Sequence, residues 1–236
     1  MRASPKIRAP ILVSFSGIDG AGKSTQIAQL RAHLQEVEGL RVDLITFWDD
    51  VARLKGVRDG VGHRVFKGDK GVGTPAAPIQ RRDKNVRSPL MTLIRTAIYL
   101  VDVLSLRDVT KKALRSDADV VIFDRYIYDE FANLDLRTTA ARLYVRGIMR
   151  LVRRPEISFL LDADPAQAYA RKPEYPLPFL HTNRSSYLAL SQVVGGMIVI
   201  PPVPLELATA EVVRCFRSMW FAAQPERVET PNPPAQ

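Results

Sequence analysis

The run Gly17-Ile18-Asp19-Gly20-Ala21-Gly22-Lys23-Ser24-Thr25 constrains the fold of this 236-residue chain more than any other segment. It follows an apolar stretch at residues 11–15 and precedes a helical pattern at residues 26–37. A strand, a glycine-rich turn that ends in Lys-Ser, and a helix together predict a phosphate-binding P-loop, and these flanks disfavour a fortuitous glycine turn. The backbone N–H groups of such a turn converge on a polyphosphate, at which the helix dipole also points.

The P-loop motif assigns roles to single side chains. Lys23 is expected to bridge the β- and γ-phosphates, and the hydroxyl of Ser24 is expected to ligate Mg²⁺. The residues predicted to bind the nucleotide are Gly17, Asp19, Gly20, Ala21, Gly22, Lys23, Ser24 and Thr25.

Length and composition predict one domain over residues 1–221 and a proline-rich, disordered tail over residues 222–236. The hydrophobic content of 46% can bury a sizeable core, and no apolar run is long enough for a membrane helix. The basic residues 1–10 precede a short strand, a pattern that does not fit a signal peptide, and Cys215 has no second cysteine to pair with. We therefore expect a cytoplasmic protein without a membrane partner.

A basic, glycine-rich segment at residues 53–88 carries much of the net charge of +9. Its length and composition predict a flexible loop, which is either a phosphate-attracting flap over the active site or a solvated insertion. Nucleic acid is disfavoured as a partner because Phe66 is the only aromatic residue between Arg53 and Arg87 that could stack on bases.

The other patterns alternate strand and helix, which indicates an α/β fold. Further strands are predicted at residues 42–47, 120–123, 157–161 and 197–200, and further helices at 89–114, 138–152 and 205–219. The long amphipathic helices offer a face for a homodimer.

A second constellation, Asp124-Arg125-Tyr126, ends the hydrophobic strand at residues 120–123. In a doubly wound parallel sheet, an acid at this end of a strand lies beside the P-loop, where ligands bind. Asp124 is expected to hold the hydration shell of Mg²⁺, and Arg125 is expected to contact a phosphoryl oxygen.

These motifs resemble the thymidylate kinase family. Residues 15–26 are similar to the opening of those enzymes, residues 123–126 to their Asp-Arg-Tyr signature, and residues 160–165 and 170–172 to the strand that leads into their lid. The resemblance implies a P-loop NTPase fold with a five-stranded parallel sheet, helices on both faces and a short lid at residues 171–184. It also implies ATP and Mg²⁺ as cofactors.

The resemblance further implies that the lid supplies a catalytic arginine, because this P-loop carries Asp19-Gly20-Ala21 and no arginine. The candidate is Arg171, with Lys172 and Arg184 behind it. The alternative for Arg171 is a solvent-facing helix residue.

The acceptor half departs from the family pattern. Where the family has an Arg-Glu-Pro turn, this chain has Trp48-Asp49-Asp50, and the nearest basic residue is Arg53. The family's stacking phenylalanine and base-reading arginine correspond to Ile98 and Asp102, and a one-residue slip would make Tyr99 the stacking residue. The phosphate chemistry therefore carries over, whereas specificity for dTMP does not.

Other replacements lie after the Asp-Arg-Tyr signature and on the long helix. The family's Ser, Tyr and Gln positions hold Asp129, Asn133 and Leu134 in this chain. Arg95, Tyr99 and Asp102 lie on one face of the helix. Together they form either a polar substrate pocket or a surface ion pair.

Two kinds of acceptor stay open. A phosphate acceptor is already ionised and needs no base, whereas a hydroxyl acceptor benefits from a carboxylate that takes its proton. Asp49 or Asp50 could be that base, and the alternative is a capping role.

The leading hypothesis is an ATP-dependent kinase of the thymidylate kinase type whose acceptor is a nucleoside monophosphate, dTMP or a relative. The alternatives are a kinase of a hydroxyl group on a nucleoside or another small molecule, and a nucleotide-gated binding protein without kinase activity. The predicted catalytic residues are Lys23, Arg125, Arg171 and Asp49, and the predicted metal ligands are Ser24 and Asp124. The predicted substrate-binding residues are Asp49, Arg53, Arg95, Ile98, Tyr99, Asp102, Arg125 and Tyr126.

Overall fold

A single parallel sheet organises the computed structural model, which describes residues 9–51 and 89–222. Its strands are β1 (Ile11–Ser16), β2 (Val42–Thr46), β3 (Val120–Asp124), β4 (Ile157–Leu161) and β5 (Met197–Ile200). All neighbours pair in parallel, in the order β2-β3-β1-β4-β5. The α/β fold with a five-stranded parallel sheet is confirmed.

Seven α-helices occur in the described ranges, together with a π-helical turn at Phe47–Val51. The helices are α1 (Lys23–Glu36), α2 (Pro89–Ala113), α3 (Ile127–Phe131), α4 (Thr139–Met149), α5 (Pro165–Arg171), α6 (Leu177–Val194) and α7 (Leu205–Ala222). The helix predicted at residues 138–152 ends at Met149, because Leu151 N–H bonds Ile148 O in a tighter turn. The predicted loop at 53–88 lies outside the described residues, as does the predicted tail apart from Ala222, which ends α7.

The strand order brings the predicted motifs to one edge of the sheet. The central strand β1 leads into the P-loop, and its neighbours β3 and β4 lead into Asp124-Arg125 and into α5. In register, Asp124 lies beside Phe15 of β1 and Thr46 of β2. Because the carboxyl ends of parallel strands meet at one edge, the segments that follow β1, β3 and β4 surround a common site.

Helices cover both faces of the sheet, since β1, β3 and β4 are buried on both sides. On one face, Val13, Phe15 and Phe159 pack with apolar residues of α1 and α7. On the other face, Leu12 and Phe123 pack with apolar residues of α2, α3, α4 and α6. Neither α1, α2 nor any other helix in the described ranges has the length and apolarity needed to cross a bilayer.

The stacked pair Phe15–Phe159 joins the neighbouring strands β1 and β4, with ring centroids 5.0 Å apart and no exposure of either side chain. We expect Phe159→Ala to lower the free energy of unfolding by about 3–5 kcal/mol, because it leaves a cavity in the core. Phe221→Ala is the matched control, since Phe221 is 58% exposed on α7. Urea unfolding followed by circular dichroism measures both changes, and equal losses would contradict this assignment of the core.

Candidate active site

The P-loop connects β1 to α1 through backbone conformations that favour glycine. Gly17, Gly20 and Gly22 have φ values of 144°, 84° and 88°. Gly22 is also the N-cap of α1 and has no side chain that could accept hydrogen bonds from the first-turn N–H groups. Those groups therefore remain suited to an anion.

The P-loop packs tightly on one side and is open on the other. A Cβ atom on Gly17 would lie 2.5 Å from Leu161 O, and a Cβ on Gly20 would lie 2.3 Å from Ala168 O. A Cβ on Gly22 would meet no atom of the described residues within 4 Å. The loop is thus fixed against β4 and α5, while its turn into α1 leaves room for a ligand.

Lys23 lies across the inside of the P-loop. Its buried ammonium Nζ donates to Gly17 O at 2.6 Å and to Ile18 O at 2.8 Å. The cation is therefore held at the centre of the loop, where the sequence predicts the phosphate-binding lysine.

The predicted metal ligands, Ser24 and Asp124, belong to α1 and to the end of β3. The Ser24 side chain is exposed and Asp124 is half-buried. Burial raises the pKa of Asp124, while the positive charges of Arg125 and Lys23 oppose the rise. A hydroxyl and a carboxylate suit Mg²⁺, which takes oxygen ligands and is usually bound through one or two carboxylates and substrate phosphates. These residues therefore fit a magnesium–nucleotide complex.

Arg125 connects the end of β3 to the P-loop. Its backbone has a φ of 71°, and its N–H donates to Phe15 O at 3.1 Å. The guanidinium, 14% exposed, donates through Nη2 to Asp19 Oδ1 at 2.5 Å and through Nη1 to Asp129 Oδ1 at 3.2 Å. Although burial lowers the pKa of Arg125, the two carboxylates outweigh burial and raise it, so the side chain stays charged.

One of the three predicted lid cations contacts the P-loop. Arg171, exposed at the end of α5, donates from Nε to Gly20 O at 2.9 Å. Lys172 pairs with Glu174 at 3.2 Å. Arg184 forms a bidentate pair with Asp162 at 2.6 and 2.7 Å. The surroundings therefore distinguish Arg171 from the other two.

The turn after β2 holds the two candidate bases. Asp50 Oδ2 accepts the backbone N–H of Thr46 at 2.7 Å, which is the local capping role named as the alternative. Asp49 is exposed in the same π-helical turn. Arg53 and the side chain of Arg95 lie outside the described residues.

The predicted acceptor residues on α2 face the protein interior to different extents. Ile98 is half-buried against the core, and Tyr99 is buried in a T-shaped ring contact with Phe131, at a centroid distance of 6.4 Å. Asp102 is fully buried, so a surface ion pair does not describe its setting. Burial and the charge of Asp102 raise the pKa of Tyr144 to about 12.

Tyr126, predicted to bind substrate, instead packs in the core. Its ring contacts Phe123 and Tyr128 at centroid distances of 5.3 and 5.2 Å, and its hydroxyl donates to Arg153 O. Burial raises the pKa of Tyr126, so the hydroxyl stays protonated. In this structure Tyr126 therefore supports the sheet rather than lining the site.

Sequence reasoning noted Asp129 only as a departure from the family pattern. Its side chain, 2% exposed, is a hydrogen-bond partner of Arg125 and also accepts hydrogen bonds from Ser16 and Tyr187. The available signal was the position of an acid three residues after Tyr126, where a helix begins, which is typical of a capping box. That signal predicts the cap but not the contact with Arg125.

Comparisons with known proteins point to one family. No protein-family model matches the chain. The thymidylate kinase of Chlorobaculum tepidum is 30% identical over 181 residues, which cover 69% of this chain and 66% of the relative. That of Chlorobaculum parvum is 29% identical over 173 residues, 69% of this chain and 65% of the relative. The chain thus spans slightly less than two thirds of these two relatives.

A longer match and a solved structure extend the similarity. The thymidylate kinase of Dinoroseobacter shibae is 26% identical over 204 residues, which cover 80% of this chain and 86% of the relative. The crystal structure of thymidylate kinase from Ehrlichia chaffeensis matches with a TM-score of 0.55 and 19% identity, over 89% of this chain and 99% of the other. This structural match supports the fold.

The contact between Gly20 and α5 predicts a specific sensitivity to a methyl group. Gly20→Ala is expected to destabilise the protein by about 3 kcal/mol, since it combines a strained φ with overlap on Ala168 O. Gly39→Ala is the control: Gly39 has a φ of 65°, but a Cβ there meets no described atom within 4 Å. We expect Gly39→Ala to lower the free energy of unfolding by about 1 kcal/mol.

Urea unfolding measures the stability of both variants, and calorimetric titration with ATP measures binding. Gly20→Ala should also weaken ATP binding, whereas Gly39→Ala should not. Equal stability and equal affinity in the two variants would contradict the close packing of the loop.

Proposed function

Because this chain belongs to the thymidylate kinase family, we propose that it transfers the terminal phosphoryl group of ATP to a nucleoside monophosphate, dTMP or a close relative. The observation that carries the proposal is the convergence of three cations on residues 17–20. Lys23, Arg125 and Arg171 come from three separate segments, and each donates a hydrogen bond to this stretch of the P-loop.

Phosphoryl transfer needs this arrangement because charge spreads over the oxygens of the transferred group in the transition state. Lys23 and the loop N–H groups hold the ATP phosphates. Arg125 and Arg171 neutralise the charge on the transferred group, to which a guanidinium can donate two parallel hydrogen bonds. Mg²⁺ held by Ser24 and Asp124 would add further charge neutralisation.

A hydroxyl acceptor would need a general base from the turn after β2, whereas a monophosphate acceptor would not. A phosphate is already ionised and needs no general base. Of the two candidate bases, Asp50 accepts the N–H of Thr46 and Asp49 is exposed, so Asp49 is the residue to test for a hydroxyl acceptor. Three features stay predictions: the homodimer, the lid, and the acceptor contacts that the sequence indicates.

A screen for ADP release tests the proposed function. The protein is incubated with ATP, Mg²⁺ and, in turn, nucleoside monophosphates, nucleosides and sugars. We expect turnover with a monophosphate and a loss of at least about 100-fold in Lys23→Ala, since that variant lacks the phosphate-binding cation.

Other outcomes of the screen would contradict the proposal. Turnover with a hydroxyl acceptor alone, abolished by Asp49→Asn, would identify a hydroxyl kinase. ATP binding without transfer to any acceptor, together with a nucleotide-dependent partner, would identify a binding protein.

The contact between Arg171 and the P-loop predicts a role in the chemical step. We expect Arg171→Ala to lower kcat by about 1,000-fold with little effect on the KM for ATP, as for other arginines that stabilise this transition state. Arg137→Ala is the matched control, because Arg137 is exposed and paired with Asp135. Steady-state kinetics with the best acceptor measures both variants. A near-normal kcat in Arg171→Ala would contradict a role of Arg171 in the chemical step.

A further inference from the structure

We propose that Asp129 is a positioning residue that fixes the guanidinium of Arg125 against the P-loop through a buried hydrogen-bond network. The inference rests on the proposed function, because Arg125 acts there on the transferred phosphoryl group. It assigns to Asp129 an effect on catalysis without contact with substrate.

The carboxylate of Asp129 is saturated with donors. Its Oδ2 accepts Ser16 Oγ–H at 2.7 Å and the N–H of Tyr126 at 3.3 Å. Its Oδ1 accepts the hydroxyl of Tyr187 at 2.8 Å and Nη1 of Arg125 at 3.2 Å. A carboxylate has about four lone-pair positions, and each oxygen here receives two donors. A buried charge is tolerated when it is paired and hydrogen-bonded in this way.

The network ties Arg125 to the scaffold as well as to the ligand-binding loop. Of the two carboxylates that contact its guanidinium, Asp19 belongs to the P-loop, where a polyphosphate would bind, and Asp129 belongs to α3. Through Ser16, Asp129 is joined to β1, and the backbone of Arg125 is joined to the same strand at Phe15 O. The side chain is thus held when a phosphate competes with Asp19.

The backbone of Arg125 makes such support necessary. A φ of 71° is left-handed, which costs a residue with a Cβ about 1–2 kcal/mol unless the surroundings enforce it. The hydrogen bond to Phe15 O fixes the backbone, and the bond to Asp129 fixes the far end of the side chain. Together they restrict the guanidinium to one orientation, which is what transition-state stabilisation requires.

Tyr187 extends the network to α6, whose N-terminal part lies in the predicted lid segment at residues 171–184. Its hydroxyl donates to the same oxygen of Asp129 that Arg125 contacts. Burial, and then the charge of Asp129, raise the pKa of Tyr187 well above its ordinary value, so the hydroxyl remains a donor. Loss of this hydroxyl should loosen Asp129 without removing any charge.

A double-mutant cycle tests the proposal in the full chain. The four proteins are wild type, Asp129→Asn, Arg125→Lys and the double variant, assayed with the acceptor found in the ADP-release screen. We expect Asp129→Asn to lower kcat by about 10- to 100-fold with the KM for ATP within about threefold of wild type. In the Arg125→Lys background, the same change should lower kcat by less than about threefold, because the guanidinium that Asp129 orients is absent.

Two tyrosine variants keep the proposal testable if Asp129→Asn does not fold. Tyr187→Phe should lower kcat by about 3- to 10-fold. Tyr128→Phe, the matched control, should leave it unchanged, because Tyr128 is equally buried but lies by Ser158 rather than Asp129. Equal kcat values for the two variants would overturn the proposal.

A purely structural role for Asp129 gives a different result. It predicts a lower Tm with an unchanged kcat, or the same loss of kcat in both arginine backgrounds, and either result overturns the proposal. If wild type turns over no monophosphate, the proposed function fails, and the same cycle is measured by calorimetry as affinity for ADP–Mg²⁺ with aluminium fluoride, which mimics the transferred phosphoryl group. Non-additive affinities would then support the positioning role, and additive ones would overturn it.

Discussion

The close packing of the P-loop backbone against the elements that follow β4 is the constraint on which the site depends. At Gly17 and Gly20 the loop approaches the carbonyls of Leu161 and Ala168 so closely that a methyl group would overlap them. Because α5 begins at Pro165 and ends at Arg171, this packing also sets where Arg171 meets the loop. Backbone contact thus places a cation that is remote from the P-loop in sequence.

Charge balance is the second organising feature of the site. Lys23, Arg125 and Arg171 bring positive charge to the loop, and Asp19 and Asp129 hold Arg125 from two sides. In a partly buried setting the Coulomb attraction in such pairs is stronger than on the surface, and it keeps Arg125 oriented before a ligand arrives. One carboxylate, that of Asp19, lies on the loop, and the other, that of Asp129, lies on the scaffold. A phosphate can therefore replace Asp19 at the guanidinium while Asp129 stays bonded to it.

Features with a local cause were predictable from the sequence. The P-loop, the strand before Asp124 and the alternation of strands and helices follow from glycine positions and apolar runs. The roles of Tyr99, Asp102 and Tyr126 were not predictable, because their burial depends on how α2, α3 and the sheet pack together. Tyrosine fits a pocket and a core equally well, whereas a fully buried aspartate such as Asp102 is uncommon.

The sequence by itself determined the fold class and the glycine-rich turn between β1 and α1, since local apolar runs and glycine positions specify them. Only the tertiary structure separated Arg171, which reaches Gly20, from Arg184, which pairs with Asp162. Only the tertiary structure likewise placed the carboxylate of Asp129 against Arg125, Ser16 and Tyr187. These contacts join segments far apart in the chain, and the packing of helices on the sheet, which no local pattern encodes, brings them together.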